Sequence, residues 1–261
     1  MKIETILTPA ELPAPAQRDL RATACVVFDV LRATSTFVTA LHHGAQAIIP
    51  VSEIAEALEI KKAESGKRKA ETILLGGERN GVRISADGID FDFGNSPCEY
   101  TPERVRGKII VSTTTNGTRA LQACARAKLV LAASFLNLQA TAEFLQSQMP
   151  EEILLVCAGT GNEVADEDVL AAGALAELLV GSSRCDDRTA QRAVPTFAAT
   201  ESALKSWQAA KPDLLAAMSR AKNGMRLLAL PDLHADVAFC AQRDVFPLVA
   251  VLSPDGSLRR V

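Results

Sequence analysis

The chain has 261 residues, 48% of them hydrophobic, enough for a sizeable core in one large α/β domain or two small ones. Its 28 basic and 31 acidic residues leave a formal net charge of −3, which excludes a general electrostatic pull towards nucleic acid or anionic membrane, and 4% aromatics excludes a stacking platform for single strands. Six scattered cysteines without a Cys-x-x-Cys pair argue against metal clusters and disulfides, and the lack of a leader-like or membrane-length apolar run points to a cytoplasmic protein.

Met1 to Leu7 reads as an edge strand, and Pro9, Pro13 and Pro15 break the next stretch into a loop as far as Arg21. Ala24 to Val30 is a continuous apolar run of strand length with Asp29 near its end, and Arg32 to His43 carries apolar positions at helical spacing. Ala47 to Val51 is the next strand, and Ser52 to Glu56 opens a capped helix that runs to about Ala63. The charged stretch Lys61 to Glu71 reads as a solvated helix end and loop. Thr72 to Leu75 is a third strand, followed by Gly76-Gly77-Glu78-Arg79-Asn80-Gly81 and a long polar loop through Asp87, Asp90 and Asp92 to Asn95, Ser96 and Pro97. Ile89, Phe91 and Phe93, interleaved in that loop, predict that it packs onto the body.

Lys108 to Val111 reads as a buried strand and Arg119 to Ala125 has helical spacing. The strand Lys128 to Ala132, the helix Asn137 to Gln148 and the strand Glu152 to Cys157 come next. Beyond Gly159-Thr160-Gly161-Asn162, the acidic cluster Glu163, Asp166, Glu167 and Asp168 leads into a helix from Val169 to Val180. Thr189 to Ala210 reads as one long helix or one broken around Pro195, Pro212 opens another, and Leu233 to Ala241 is a last short one. Val245 to Leu252 is the closing strand, before a turn at Pro254-Asp255-Gly256. This alternation predicts right-handed crossovers and a largely parallel or mixed sheet covered on both faces, with no linker dividing residues 1–261 into separate domains. Thr34-Ser35 and Ala40-Leu41 recur as Thr114-Thr115 and Ala120-Leu121 at one fixed offset, in residue types too common to signal duplication.

The chemistry centres on Thr113-Thr114-Thr115-Asn116-Gly117-Thr118-Arg119, at the junction of a strand and a helix. Backbone N–H groups at a helix start, several hydroxyls and a glycine that permits close approach make an anion site, with Arg119 as a clamp, although a Ser/Thr-capped helix start alone shows the same residues. Three other polar clusters follow apolar strands: Asp29 with Arg32, Glu78 with Arg79, and the Gly159 loop leading to Glu167 and Asp168. In a parallel sheet these loops emerge on one edge and converge. Carboxylates beside arginines and an anion-binding turn suit a Mg²⁺-dependent reaction on a phosphate ester, with Asp29, Glu167 and Asp168 as metal ligands and Asp29, Arg32, Glu78 and Arg119 as the catalytic set. A structural helix cap is the alternative for Asp29.

Other machineries are excluded. The chain lacks a GxxxxGK[ST] phosphate loop, Gly159-Thr160-Gly161 lacks the third glycine of a dinucleotide fingerprint, and Asp29 has no second carboxylate two residues on, as haloacid-dehalogenase-like phosphatases do. Cys98 and Arg104 have Cys-x5-Arg spacing, but Glu99, Pro102 and Glu103 between them would repel a phosphate dianion and remove a donor. His42, His43 and His234 share no motif and read as structural.

Val27-Phe28-Asp29-Val30-Leu31-Arg32-Ala33-Thr34-Ser35-Thr36, Gly77-Glu78-Arg79-Asn80-Gly81, Phe93-Gly94-Asn95-Ser96-Pro97, Thr113 to Arg119, and Glu167-Asp168 with Gly173 together resemble the 2-phosphosulfolactate phosphatase family, with its motifs in order. The resemblance runs from about Phe28 to Gly173 and more weakly over Asp236 to Val251. It implies a three-layer α/β/α fold and a Mg²⁺-dependent hydrolysis of (R)-2-phospho-3-sulfolactate to 3-sulfolactate and phosphate, a step of coenzyme M biosynthesis. Arg79, Asn95, Ser96, Thr114, Thr115, Asn116, Gly117 and Thr118 are then expected at the substrate. The alternatives are a phosphatase for another small 2-phospho carboxylic acid, or a non-catalytic binder of phosphometabolites. The expected partner is a small phosphorylated acid, with no nucleic acid or membrane, and the chain is compatible with a homo-oligomer.

Overall fold

The structure is a computed structural model and describes residues 1–11, 18–65, 72–86, 88–182 and 197–261. Pro13, Pro15, Asp87, Cys185, the charged residues beyond Ser65 and the Thr189 to Pro195 part of the expected long helix lie outside the described residues.

The first half runs β1 (Lys2–Ile6), β2 (Thr23–Phe28), α1 (Ala33–His42), β3 (Ala47–Val51), α2 (Ile54–Ser65), β4 (Ile73–Arg79), then the two-residue strands β5 (Val82–Arg83), β6 (Ser85–Ala86) and β7 (Ile89–Asp90). After α3 (Pro102–Val105) come β8 (Ile109–Thr113), α4 (Gly117–Ala123), β9 (Leu129–Ala133), α5 (Leu138–Gln148), β10 (Glu152–Cys157) and α6 (Asp166–Ser182). The C-terminal part holds α7 (Ala198–Ala210), α8 (Leu214–Arg220), α9 (Lys222–Leu228), α10 (His234–Cys240), β11 (Ala250–Leu252) and β12 (Leu258–Arg260).

Ten strands form one mixed sheet in the order β1-β10-β2-β9-β11-β12-β3-β8-β4-β5, with β1 at an edge as expected. All six residues of β2 are buried because both faces of the sheet are covered. Ala24, Val26 and Phe28 face a core that includes Leu170, Leu175 and Trp207 of α6 and α7, while Cys25 and Val27 face Phe37, Val38 and Leu41 of α1 and Leu121 of α4. Beyond the centre, Val51, Leu75 and Val111 pack with Ala57 of α2. The architecture is the expected three-layer α/β/α.

The polarity of the sheet differs from a single parallel edge. β1, β10, β2 and β9 are mutually parallel, as are β3, β8 and β4, but β11 and β12 stand between these blocks. β11 is antiparallel to β9 and to β12, and β12 is antiparallel to β3, so the second block runs opposite to the first. The blocks meet instead through their helix starts. A side chain at Gly117, where α4 begins, would sit 2.7 Å from both Ala33 Cβ and Asp29 Oδ2, so only glycine permits this contact.

Several boundaries differ from the sequence pattern for identifiable reasons. β4 continues through Glu78 because Gly77, at φ 150°, lies against the Thr113 carbonyl of β8, where any side chain would collide. The polar loop after it holds β5 to β7, and although Phe91 and Phe93 are buried as expected, Ile89 is exposed. α6 starts at Asp166, since carboxylates in a first turn favour the helix N-terminus. The closing strand shrinks to Ala250–Leu252 because Pro247 interrupts the apolar run. α9 is absent from the sequence pattern because Gly224 breaks its helical spacing; here that glycine admits the Met218 carbonyl.

Candidate active site

A cavity of about 540 Å³ opens where the blocks meet. Asp29, Leu31 and Arg32 after β2, Glu78, Asn80 and Gly81 around the end of β4, Thr115 and Asn116 before α4, and Asn95 line one part of it. The loop Gly159 to Glu163 after β10, Glu167 and Asp168 in the first turn of α6, and Lys222, Asn223, Arg226 and Leu227 of α9 line the rest. Clusters distant in sequence do converge, from two strand blocks of opposite direction.

Four buried carboxylates define the interior, and they are not equivalent. Glu78 is bound by the Thr113 to Arg119 turn: Thr115 donates to Oε1 from both its N–H and its hydroxyl at 2.9 Å, and the Gly81 N–H donates to Oε2 at 2.6 Å. Asp168 accepts the Val30 N–H at 2.8 Å on Oδ1 and the Gly159 N–H at 3.1 Å on Oδ2, tying the loops after β2 and β10 together. Asp29 and Glu167 are less engaged. Asp29 Oδ1 caps α1 by accepting the Ala33 N–H at 3.2 Å, and Glu167 Oε1 accepts Asn223 Nδ2 at 2.7 Å.

Burial pushes the Asp29 carboxyl up to about 7, and the charges of Glu78 and Glu167 push the same way against the N–H groups of Ala33 and Gly117. Burial also raises Asp168, helped by Glu167 and Asp29, and it raises Glu167 despite the Asn223 hydrogen bond. Burial and mutual repulsion therefore both disfavour charging all of these carboxylates at once.

The expected anion-binding turn binds anions that belong to the protein. Besides the Thr115 donors given to Glu78, the Gly117 N–H faces Asp29, and the Thr118 N–H goes to Thr114 Oγ1 at 3.2 Å. Thr114 and Thr118 are fully buried and bond each other, whereas Thr115 and Asn116 reach the cavity.

Nor do three arginines converge. Arg32 lines the cavity, but Arg79 reaches Ser52 O at 3.0 Å and Thr113 Oγ1 at 2.9 Å, holding β4 to β8. Arg119 is 60% exposed, with Glu53 at 3.6 Å, outside the cavity lining. Ser96 is buried and donates to Asp236 Oδ1 at 2.6 Å. Its neighbour Asn95 lines the cavity, and Asn95 Oδ1 is a buried acceptor with no partner among the described residues.

The sequence reading missed Asp236, which pairs with Arg32, and missed α9. Asn223 also donates to Thr160 Oγ1 at 2.7 Å, Lys222 pairs with Glu163 at 2.5 Å, and Arg226 donates to the Asn80 carbonyl, so this helix spans both banks of the cavity. An Asn-Gly pair inside a polar stretch carries no signal of that role.

Among the described residues no three His, Cys, Asp or Glu side chains are placed together as a ready metal cage. The donor set nevertheless fits Mg²⁺, which binds through one or two carboxylates and keeps waters and substrate oxygens for its remaining positions. Asp29 and Glu167 are the two acids whose oxygens are least taken up, and burial raises both of them.

A polar cavity that sets buried carboxylates beside an arginine, where strand ends meet helix starts, has the make-up of a hydrolase for anionic esters, and the class is the phosphoric monoester hydrolases. The chain belongs to the family described as 2-phosphosulpholactate phosphatase, which matches residues 6–255. A probable 2-phosphosulfolactate phosphatase of Thermotoga petrophila is 41% identical over 228 residues, 87% of this chain and 88% of that one. Its counterpart from Thermotoga maritima is 42% identical over 227 residues, 87% of this chain and 88% of that one, and one from a Synechococcus species is 37% identical across 99% of both chains. No helix among the described residues is long and apolar enough to cross a membrane.

Proposed function

We propose that this chain hydrolyses 2-phospho-3-sulfolactate to 3-sulfolactate and phosphate in a Mg²⁺-dependent reaction, as a cytoplasmic enzyme of coenzyme M biosynthesis. The observation that carries the metal half is the unequal engagement of the acids: Glu78 and Asp168 are committed to loop N–H groups at 2.6 to 3.1 Å, while Asp29 is held more loosely, by the Ala33 N–H at 3.2 Å with the Gly117 N–H facing it, and Glu167 by Asn223. Asp29 and Glu167 would hold the ion, and the chemistry supplied there is neutralisation of the phosphoryl oxygens and activation of water.

This chain's own groups do the rest. Arg32 has five N–H donors, two of them engaged by Asp236 and Gly81, and offers the others to a phosphoryl oxygen. Glu78 orients Thr115 and Asp168 fixes the two loops that carry Asp29 and Gly159. Asp29 acts as a ligand and not as a nucleophile, because no companion carboxylate follows it two residues later.

Phosphate release from phosphosulfolactate, phosphoglycolate and phosphoglycerate, with and without Mg²⁺, tests this reading. The sulfonate substrate is expected to have the highest kcat/KM by about tenfold or more. Equal turnover of the carboxylates moves the assignment to a general 2-phospho acid phosphatase, and no release from any of them leaves a binding protein. In heavy-oxygen water, label in the Asp29 carboxylate after repeated turnovers would establish the covalent route instead.

A further inference from the structure

Arg32 and Asp236 form a buried ion pair beside the cavity: Nη1 lies 2.9 Å from Oδ2, with 4% and 1% of the two side chains exposed. The remaining carboxylate oxygen of Asp236 accepts the Ser96 hydroxyl at 2.6 Å, and Arg32 Nη2 donates to the Gly81 carbonyl at 3.3 Å. Asp236 lies on α10, far along the chain from Arg32, and it is not among the residues lining the cavity, whereas Arg32 is.

Nothing in local folding requires this arrangement. α1 already has its N-terminal donor satisfied by Asp29, and α10 is a short helix whose first turn needs no buried acid. A buried ion pair also gains little over apolar packing, so its retention calls for another account. The surroundings supply one. Asp29, Glu78 and Glu167 face the same cavity, and a long flexible guanidinium left to itself would be drawn onto those carboxylates, occupying the place of a cation and withdrawing its donors from an incoming anion.

We infer that Asp236 is a positioning residue: with Ser96 and the Gly81 carbonyl it holds the Arg32 guanidinium beside the cavity, off the acid cluster and turned towards the substrate. Asp236 acts only through Arg32 and touches no substrate. The inference rests on Arg32 binding the substrate anion, as proposed above.

The test is a kinetic double-mutant cycle on the full chain with Arg32→Ala, Asp236→Asn and the double variant, read as kcat and KM for phosphosulfolactate. Arg32→Ala is expected to lower kcat/KM about a hundredfold and Asp236→Asn about tenfold or more, with KM raised in both. The double variant is expected to be no worse than Arg32→Ala alone. A purely structural Asp236 gives losses that multiply, and that result overturns the inference, as does an Asp236→Asn enzyme with wild-type kinetics. Wild-type kinetics in Arg32→Ala would instead remove Arg32 from the substrate, and the inference with it. If Asp236→Asn fails to fold, Ser96→Ala replaces it in the cycle, because it keeps the ion pair and loosens only one carboxylate oxygen. It is then expected to lower kcat/KM about threefold when Arg32 is present and not at all when Arg32 is absent. A Ser96→Ala loss that is the same in both backgrounds overturns the inference.

Discussion

The two banks of the cavity are built on different principles. One is an acid wall, Asp29, Glu78, Glu167 and Asp168, in which every carboxylate is at most 8% exposed and hydrogen-bonded to a helix start, a loop or a neighbouring side chain. The other is a rim supplied by α9, where Lys222 is 72% exposed in its pair with Glu163 and Arg226 reaches over Gly81 to the Asn80 carbonyl. Charges in the wall act at low dielectric and at fixed positions, whereas those of the rim are screened by water and tuned by side-chain mobility. The wall should therefore govern turnover and the rim should govern how the substrate arrives.

The largest effect is expected from the wall. Asp29→Asn keeps the shape of the side chain and its acceptor for Ala33, so the protein should fold, yet kcat should fall by about a thousandfold or more. Chelation with EDTA should abolish turnover in the same way, and Mg²⁺ or Mn²⁺ should restore it. Full activity after exhaustive chelation would sink the metal-dependent reading, and an active Asp29→Asn enzyme would remove Asp29 from the site.

A second expectation separates the banks by pH without measuring activity. Asp29 titrates near 7 in the folded chain against an ordinary value of 3.8, and Glu167 and Asp168 shift in the same upward direction. A raised carboxyl pKa favours the protonated folded state. That contribution is complete below about pH 4 and is lost as pH rises towards 7, up to roughly 4 kcal/mol for Asp29. Metal-free protein should therefore lose thermal stability across this window. Mg²⁺ should raise Tm far more at pH 8 than at pH 5, where protons compete for the same oxygens. The Asp29→Asn chain should show a flatter profile, and an identical profile in both chains would contradict the raised pKa of Asp29.

The rim should respond more gently. Asn223 links the banks by donating to Glu167 and Thr160, so Asn223→Ala is expected to raise the Mg²⁺ concentration for half-maximal activity about threefold to tenfold. Lys222→Ala and Arg226→Ala should raise KM about twofold to fivefold at low salt, with kcat unchanged and the effect fading as salt is added. A kcat loss in Lys222→Ala comparable to that of Asp29→Asn would erase the distinction between the banks.

The difference in construction also explains what is legible in the sequence. Asp29 ends the strongest apolar run, Glu78 follows a strand and Glu167 and Asp168 open a helix, so periodicity places all four near strand ends or helix starts. The Thr113 to Arg119 turn is legible as an anion site, but its anions, Glu78 and Asp29, are fixed by tertiary contacts that no local pattern carries. Asp236 has the pattern of an ordinary first-turn acid, favourable to the dipole of its own helix, and nothing near it in sequence points to Arg32. The opposed strand blocks are hidden for a similar reason. Their relative direction is set by β11 and β12, short strands that join the sheet from the end of the chain.

Arg119 gives the smallest expected effect and the sharpest check on this division. Its sequence neighbours make it the clamp of an anion-binding turn, but helical phase decides where its guanidinium goes. Gly117, Thr118 and Ala120 face inward and are buried, and Arg119 between them emerges on the outer side, 60% exposed, with Glu53 at 3.6 Å. A pair so exposed contributes about 1 kcal/mol or less. Arg119→Lys and Arg119→Ala should therefore leave kcat and KM for phosphosulfolactate within about twofold of the parent and Tm nearly unchanged. A tenfold loss of kcat/KM in Arg119→Lys, which keeps the charge and removes only the bidentate fork, would show that the arginine swings from Glu53 into the cavity when substrate binds, and would move the boundary of the wall outward to include it.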